Sequence, residues 1–188
     1  MKISEIKDIL AQEEVSEERL AEFMSDERKG GQKLVQAYMK RLEKDTKEHL
    51  RVEALYDTEN RFYQKNMYAV AGVDEVGRGP LAGPVTVAAV ILPPHWFCRG
   101  LNDSKKVTPQ HREEIAEKIK KEAVAYSILS LPPEEIDALN IYGATLTAMY
   151  RAIETLKVKA EAVIVDAMPL HLPVPVESMI HGDARSAS

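Results

Sequence analysis

Two adjacent acids meet a glycine-arginine-glycine turn in Val73-Asp74-Glu75-Val76-Gly77-Arg78-Gly79-Pro80, directly after the apolar run 68–73. The apolar run predicts a buried β-strand, in which neighbouring side chains face opposite sides of the sheet. Both acids can serve one site only where the strand ends or distorts, and Gly77 and Gly79 allow the backbone to do so. Carboxylates beside a flexible loop that carries a cation suit a metal ion and a phosphate held side by side. The segment therefore predicts a strand that leads into a functional site.

Two other interpretations of this segment are a solvated acidic loop and a dinucleotide-binding fingerprint. A dinucleotide fingerprint requires Gly-x-Gly-x-x-Gly at the start of a helix. Here the third glycine, Gly83, comes one position late, and Pro84 with the β-branched run 85–87 predicts a hairpin into a second strand. The dinucleotide interpretation therefore fails. Taken alone, the Asp-Glu pair leaves a solvated loop and a functional site equally open.

The 188-residue chain is 45% hydrophobic and carries a formal net charge of −5 at pH 7. It is long enough to bury one sizeable core with a small appendage. It lacks the overall basic charge of many nucleic-acid binders, although an enzyme that binds metal through carboxylates can be acidic and still carry a local basic surface. The single cysteine, Cys98, excludes an internal disulfide and is typical of a reducing cytoplasm. No segment approaches the ~20 apolar residues of a membrane span, so we expect a cytoplasmic protein without membrane contact.

The composition changes near residue 66, and we expect a domain boundary there. Residues 1–66 hold 28 of the 55 charged residues and no proline, and their apolar residues recur at helical spacing. They predict a small all-α N-terminal module of three helices, the last of them long, with a break at Gly30-Gly31. Basic and aromatic residues interleave in 40–63, as in some nucleic-acid interfaces. Acids interleave there too and favour a solvated helix face, so an accessory role of this module in substrate binding stays open.

Residues 67–188 follow an α/β pattern. Apolar and β-branched runs predict strands at 68–76, 85–92, 123–131, 162–166 and 176–180. An N-cap with a first-turn proline at Thr108-Pro109 predicts a helix that runs to residue 122. Further helical runs are predicted from residue 133 and over 142–156.

Four acids lie at the ends of three predicted strands: Asp74, Glu75, Asp166 and Asp183. Open α/β sheets place ligand sites outside the carboxyl ends of their strands, so we expect these carboxylates to converge. Convergent carboxylates repel one another without a counter-charge, which indicates a divalent metal site. Ligation by oxygen alone favours Mg²⁺ or Mn²⁺ over zinc, which prefers histidine and cysteine. His181 is close in sequence, and we interpret it as a structural residue or a support for the ligands.

Five ordered blocks of this sequence resemble those of bacterial ribonuclease HII, the type 2 ribonucleases H. The blocks are AGVDEVGRGPLAG (71–83), LNDSKK (101–106), EIDALNI (135–141), VDA (165–167) and GDAR (182–185). The resemblance covers about residues 70–188. It implies an α/β fold, a ribonuclease H-like mixed β-sheet flanked by helices, which here follows the all-α N-terminal module.

The resemblance also implies an activity and assigns residues to it. The family cleaves the RNA strand of RNA–DNA hybrids and incises 5′ to ribonucleotides embedded in duplex DNA, leaving 3′-hydroxyl and 5′-phosphate ends. Catalysis by two metal ions, Mg²⁺ or Mn²⁺, would use all four acids as ligands and catalytic residues. The turn Gly77-Arg78-Gly79 resembles the loop that contacts the ribose 2′-hydroxyl. Lys105 and Lys106 match phosphate contacts, with a solvated pair of lysines equally open. We expect a monomer.

The sequence departs from the family pattern at its C-terminal end. It stops at Ser188, where the family continues into an alanine-rich helix and then further helices. The part that would follow includes a tyrosine that stacks on the sugar at the DNA–RNA junction, and none of the seven tyrosines here matches it. The expectation is therefore a C-terminally truncated catalytic domain, 67–188, with reduced activity. A catalytically inactive folded fragment with weak metal or nucleic-acid binding is the alternative. The glycine-arginine-glycine turn disfavours another nuclease of the ribonuclease H-like superfamily.

Overall fold

The computed structural model describes residues 2–11, 15–25, 29–79, 83–166 and 168–179. The chain divides into two compact units, Met1–Leu50 and Arg51–Ser188. Residues 51–63 lie in the second unit because their apolar side chains pack into the hydrophobic clusters beside the sheet. The domain boundary near residue 66 stays a prediction from composition.

The first unit is helical, as predicted. It contains α1 (Ile3–Leu10), α2 (Glu17–Met24) and most of α3 (Lys29–Glu53). Its buried core consists of Ile6, Leu10, Phe23, Val35 and Tyr38. The break predicted at Gly30-Gly31 is wrong, because α3 already begins at Lys29 and includes both glycines. A Cβ on Gly30 would lie 2.9 Å from Cδ1 of Ile3, so this glycine lets α1 pack closely on the start of α3.

Within the described residues, the second unit contains a mixed sheet of five strands, which confirms the predicted fold class. The strands are β1 (Val70–Val76), β2 (Val85–Ile91), β3 (Ala125–Leu131), β4 (Ala162–Asp166) and β5 (Val176–Met179). Their order across the sheet is β3-β2-β1-β4-β5. The pairs β1–β2 and β2–β3 are antiparallel, whereas β1–β4 and β4–β5 are parallel. The parallel half therefore sends the ends of β1, β4 and β5 to one edge of the sheet.

Helices cover both faces of this sheet. On one face, α6 (Pro133–Glu154) buries alternate strand residues such as Val73 and Val165. On the other face, α4 (Asp57–Tyr63) and α5 (Pro109–Glu122) contribute to separate clusters around Ile164 and Leu92. None of the described helices combines the length and the apolarity that a bilayer-spanning helix needs.

The two helices predicted after residue 132 are both present, and a break at Asn140 separates them within α6. Asn140 has φ 55° and ψ 165°, and its Oδ1 accepts a hydrogen bond from the Gly143 amide at 3.0 Å. Asn140 thus acts as an N-cap for the second half of α6. An ion pair of 3.1 Å between Arg151 and Glu135 connects the two halves. With ψ at 165°, Asn140 lies outside the left-handed helical region that asparagine tolerates, so the break is a strained backbone position.

Candidate active site

Asp74 and Asp166 occupy neighbouring positions at one edge of the sheet. The parallel strands β1 and β4 pair Val73 with Val165, and each aspartate is the next residue along its strand. Both valines face the core beneath α6. Because side chains alternate along a strand, both aspartates face the opposite side of the sheet. The structure therefore brings together two of the four predicted acids on one face.

Glu75 lies on the other face. β1 continues through Val76 and pairs Glu75 with the buried Val87, so the distortion expected at the Asp-Glu pair begins only after it. The Glu75 side chain is 15% exposed, and its Oε1 accepts a hydrogen bond from Arg78 Nη1 at 3.2 Å. Its Oε2 is buried and has no hydrogen-bond partner among the described residues. Asp74 Oδ1 in turn accepts a hydrogen bond from the Glu75 amide at 2.8 Å.

Asp183 and His181, two further residues of the predicted site, lie outside the described residues. Over the ranges that the structure describes, no three acids, histidines or cysteines form a group that could hold a metal ion. Asp74 and Asp166 share one face of the sheet, whereas Glu75 lies on the other face. The donor set nevertheless fits a hard divalent cation, because it offers carboxylate oxygens alone. A buried polar atom left without a partner costs about 1–3 kcal/mol, so the unpaired Oε2 of Glu75 also favours a nearby cation.

The predicted glycine-arginine-glycine turn follows β1 directly. Gly77 has φ +93°, and a Cβ at this position would collide with the backbone oxygen of Pro84. Only glycine therefore suits this position, where the chain leaves β1 and returns close to the start of β2. The Arg78 side chain is 38% exposed and pairs with Glu75, so it links the turn to the acids. At Gly79, a Cβ would meet no atom within 4 Å.

Lys105 and Lys106 lie in a short 3₁₀-helix, Ser104–Lys106, before α5. Asp103 caps this helix, because its Oδ1 accepts a hydrogen bond from the Lys105 amide at 2.9 Å. Its Oδ2 lies 3.9 Å from Nζ of Lys106. This role of Asp103 has a signal in the sequence, because an aspartate directly before a helical turn is a recognised cap.

The topology directs this 3₁₀-helix toward the acidic edge. β3 runs parallel to β1 because both are antiparallel to β2. α5 leads into β3, so the C-terminal end of α5 lies at the edge where β1 begins. Its 14 residues, at about 1.5 Å each, span much of the length of the sheet. If α5 runs antiparallel to β3, as a helix that leads into a strand commonly does, its N-terminal end and the lysines just before it lie toward the edge where β1 and β4 end.

Comparison with known proteins identifies the family. The profile described as Ribonuclease HII matches residues 71–184, and that of the Ribonuclease HII N-terminal domain matches residues 2–63. The chain belongs to the ribonuclease HII family. It is 48% identical to the ribonuclease HII of Lactobacillus johnsonii over 188 residues, which cover 100% of this chain and 74% of the relative. It is 45% identical to that of Bacillus cereus over 181 residues, which cover 95% of this chain and 70% of the relative.

The fold agrees with this assignment. The structure is similar to the ribonuclease H2 of Pyrococcus horikoshii, with a TM-score of 0.54 at 27% sequence identity. The match covers 61% of this chain and 64% of that chain. Ribonuclease HII proteins are metal-dependent endonucleases of the type 2 ribonuclease H class, and they cleave RNA in RNA–DNA hybrids. The resemblance inferred from the five sequence blocks is thereby confirmed.

Proposed function

We propose that this chain, as a cytoplasmic monomer, hydrolyses the RNA strand of RNA–DNA hybrids. It also incises duplex DNA on the 5′ side of embedded ribonucleotides, leaving 3′-hydroxyl and 5′-phosphate ends. The observation that carries the proposal is the position of Asp74 and Asp166, on one face at the carboxyl ends of two neighbouring parallel strands. Carboxylates placed in this way are suitable ligands for a metal-dependent phosphodiester hydrolase. Glu75 and Asp183 complete the proposed catalytic set.

These four acids would hold Mg²⁺ or Mn²⁺, with two ions in the catalytic complex. Such ions, when bound, would supply activation of a water and charge stabilisation for the leaving 3′-oxygen of an in-line displacement. Asp74 and Asp166 both belong to strands, so the sheet sets the position of their backbone before substrate binds. Arg78 compensates the charge of Glu75 at 3.2 Å. Because its guanidinium has five donors, it can contact a substrate phosphate as well.

The turn Gly77-Arg78-Gly79 would recognise the ribose 2′-hydroxyl, the group that distinguishes RNA from DNA. Two features support this role. The turn directly follows the strand that carries Asp74 and Glu75, and a Cβ at Gly79 would meet no atom of the described residues within 4 Å. Lys105 and Lys106 would contact phosphates, supported by the direction of α5 and by the cap that orders their backbone.

The helical first unit would assist binding through one face of α3. Four exposed lysines recur along α3 at spacings of seven, four and three residues, which places them on one side of the helix. They are Lys33, Lys40, Lys44 and Lys47. None of the four forms an ion pair within the described part of the chain. Unpaired lysines along one helix face are suited to a nucleic-acid backbone. We therefore propose an accessory, sequence-independent contact with the duplex.

The experiment that tests the proposal is cleavage of a labelled DNA duplex that carries one ribonucleotide, with Mg²⁺ or Mn²⁺. The controls are the Asp74→Asn variant and an all-DNA duplex of the same sequence. We expect a single cut 5′ to the ribonucleotide, which disappears in the variant and in the all-DNA duplex. Folded protein that leaves the ribonucleotide duplex intact would support the alternative, an inactive folded chain with weak binding.

A further inference from the structure

Side chains of two helices hold the segment 96–101, which lies between β2 and α5. Arg51, in the last turn of α3, donates a hydrogen bond from Nη2 to the carbonyl oxygen of Leu101 at 2.8 Å. His111, near the start of α5, has its Nε2 3.2 Å from the carbonyl oxygen of Arg99. Both contacts lie at the end of the segment that leads into the 3₁₀-helix Ser104–Lys106.

Two further side chains hold the other end of the segment. Tyr56 Oη donates to the carbonyl oxygen of Trp96, and Lys118 Nζ donates to that of Phe97, each at 2.8 Å. The Lys118 ammonium also lies 5.1 Å from the centre of the Trp96 ring. Backbone carbonyl groups need a hydrogen-bond partner, and in this loop side chains supply it in place of water. These hydrogen bonds restrict the conformations that the loop backbone can adopt.

The His111 ring lies directly on the backbone of this segment. Gly100 has φ +78°, and a Cβ at this position would collide with Nε2 of His111. The other ring nitrogen, Nδ1, lies 3.0 Å from Oε2 of Glu114. The ring therefore lies between the Glu114 carboxylate on one side and the loop backbone on the other, and its N–H donates to one of these two acceptors when the imidazole is neutral.

We propose that Arg51 and His111 are positioning residues for substrate binding. They fix the backbone at 99–101 and thereby the position of the 3₁₀-helix that follows. Lys105 and Lys106 are then positioned to bind substrate phosphates before the substrate arrives. A preorganised contact binds more tightly because less conformational freedom is lost on binding. The inference rests on the proposed function, in which the two lysines contact the substrate.

A role in folding alone would not require these positions. The His111 side chain is 39% exposed, and Arg51 is half-buried at the end of its helix, so neither fills the hydrophobic core. The hydrogen bond from Arg51 to Leu101 and the contact of His111 with Arg99 both involve the backbone of an irregular loop. If these contacts are lost, we expect the loop to adopt more conformations and the affinity for substrate to fall.

The test is steady-state hydrolysis of an RNA–DNA hybrid, together with its equilibrium binding, by the unmodified chain and by Arg51→Met, Arg51→Lys and Lys105→Ala. Lys121→Met, an exposed lysine of α5, is the matched control for the loss of one positive charge. We expect Arg51→Met to raise KM and Kd about tenfold, as for one lost charge-assisted hydrogen bond, with kcat nearly unchanged. Arg51→Lys should restore most of the binding, and Lys121→Met should behave like the unmodified chain.

A double-mutant cycle distinguishes positioning from a general effect on stability. If Arg51 acts through the lysines, Arg51→Met should change KM much less in the Lys105→Ala background than alone. Fluorescence of Trp96, the single tryptophan, reports whether the segment moves in each variant. Should Arg51→Met fail to fold, the same cycle is run with His111→Leu.

Two results would overturn the inference. One is an active unmodified chain whose KM does not change in Arg51→Met and His111→Leu; the other is equal effects of Arg51→Met in both backgrounds. A chain that binds the hybrid without cleaving it contradicts the proposed function alone, and Kd then replaces KM in the cycle. A chain that neither binds nor cleaves the hybrid contradicts both.

Discussion

At the scale of single residues, Glu75 differs from the two aspartates of the site. Asp74 is exposed, whereas the Glu75 side chain is 15% exposed and has a buried oxygen without a hydrogen-bond partner among the described residues. Arg78 compensates its charge through the other oxygen. A buried carboxylate that is only partly compensated destabilises the chain by itself and is stabilised by a nearby cation. Such a trade of stability for function is common at active sites.

We therefore predict that Glu75→Gln leaves the Tm in EDTA unchanged or raises it, while it weakens the response to metal. Mn²⁺ should raise the Tm of the unmodified chain, since a ligand that binds only the folded state stabilises it. The increase should be smaller for Glu75→Gln. Thermal unfolding with and without Mn²⁺ measures both effects, and Glu113→Gln, an exposed glutamate of α5, serves as the control. An equal response of Glu75→Gln and the unmodified chain would remove Glu75 from the metal site.

At the scale of elements, the turn between β1 and β2 offers a matched pair of glycines. Gly77 has a positive φ and no room for a side chain, whereas a Cβ on Gly79 would meet no atom within 4 Å. We predict that Gly77→Ala lowers the free energy of unfolding by about 1–3 kcal/mol, the cost of a strained backbone position. Gly79→Ala should change it by less than about 0.5 kcal/mol. Urea unfolding of both variants checks this, and a Gly77→Ala variant as stable as Gly79→Ala would contradict the account of the turn.

The elements themselves were largely predictable from the sequence, because their apolar periodicity is strong. β1, β2 and α5 begin and end within about two residues of the predicted bounds, as element boundaries usually allow. The face of Glu75 was not predictable, because it depends on whether β1 ends before or after Val76. The contact of Arg51 with Leu101 joins residues 50 positions apart through a side chain and a carbonyl oxygen, and such a contact leaves no periodic signal. The role of Asp183 as a metal ligand stays a prediction, since this residue lies outside the described residues.

At the scale of the whole molecule, the exposed lysines of α3 should make binding to nucleic acid depend on salt. Charge reversal in Lys40→Glu/Lys44→Glu should weaken hybrid binding and lower the slope of log K against log[salt], because fewer counterions are released. The cleavage site should not change. Fluorescence anisotropy between about 50 and 200 mM salt measures the slope. A control variant, Glu113→Gln, should keep the original slope, and an unchanged slope in the double variant would exclude this face from binding.

Alkaline stability of the fold should depend on two tyrosines at the ends of α4, the buried Tyr56 and the half-buried Tyr63. Burial, with the negative charges of Glu59 and Glu53, raises the pKa of Tyr63 to about 12, and burial raises the pKa of Tyr56 as well. The folded chain therefore keeps protons that the unfolded chain loses above pH 10.0, so the stabilisation present below that pH is lost as the pH rises toward about 12. We predict a weaker pH dependence for Tyr63→Phe, measured as urea midpoints from about pH 8 to 11.5. The exposed Tyr126→Phe is the control, and identical profiles for all three proteins would contradict this assignment.

We propose a metal-dependent site that cleaves RNA paired with DNA. Its central ligands are Asp74 and Asp166, which lie near the ends of two parallel strands. The most direct test is the rate of hydrolysis of a labelled RNA strand in an RNA–DNA hybrid by the unmodified chain, Asp74→Asn and Asp166→Asn. Asp8→Asn, an exposed aspartate of α1, is the control. We expect each active-site variant to remain folded and to lose at least about a hundredfold in rate, while the control keeps full activity. Hydrolysis that persists in folded Asp74→Asn or Asp166→Asn would contradict it.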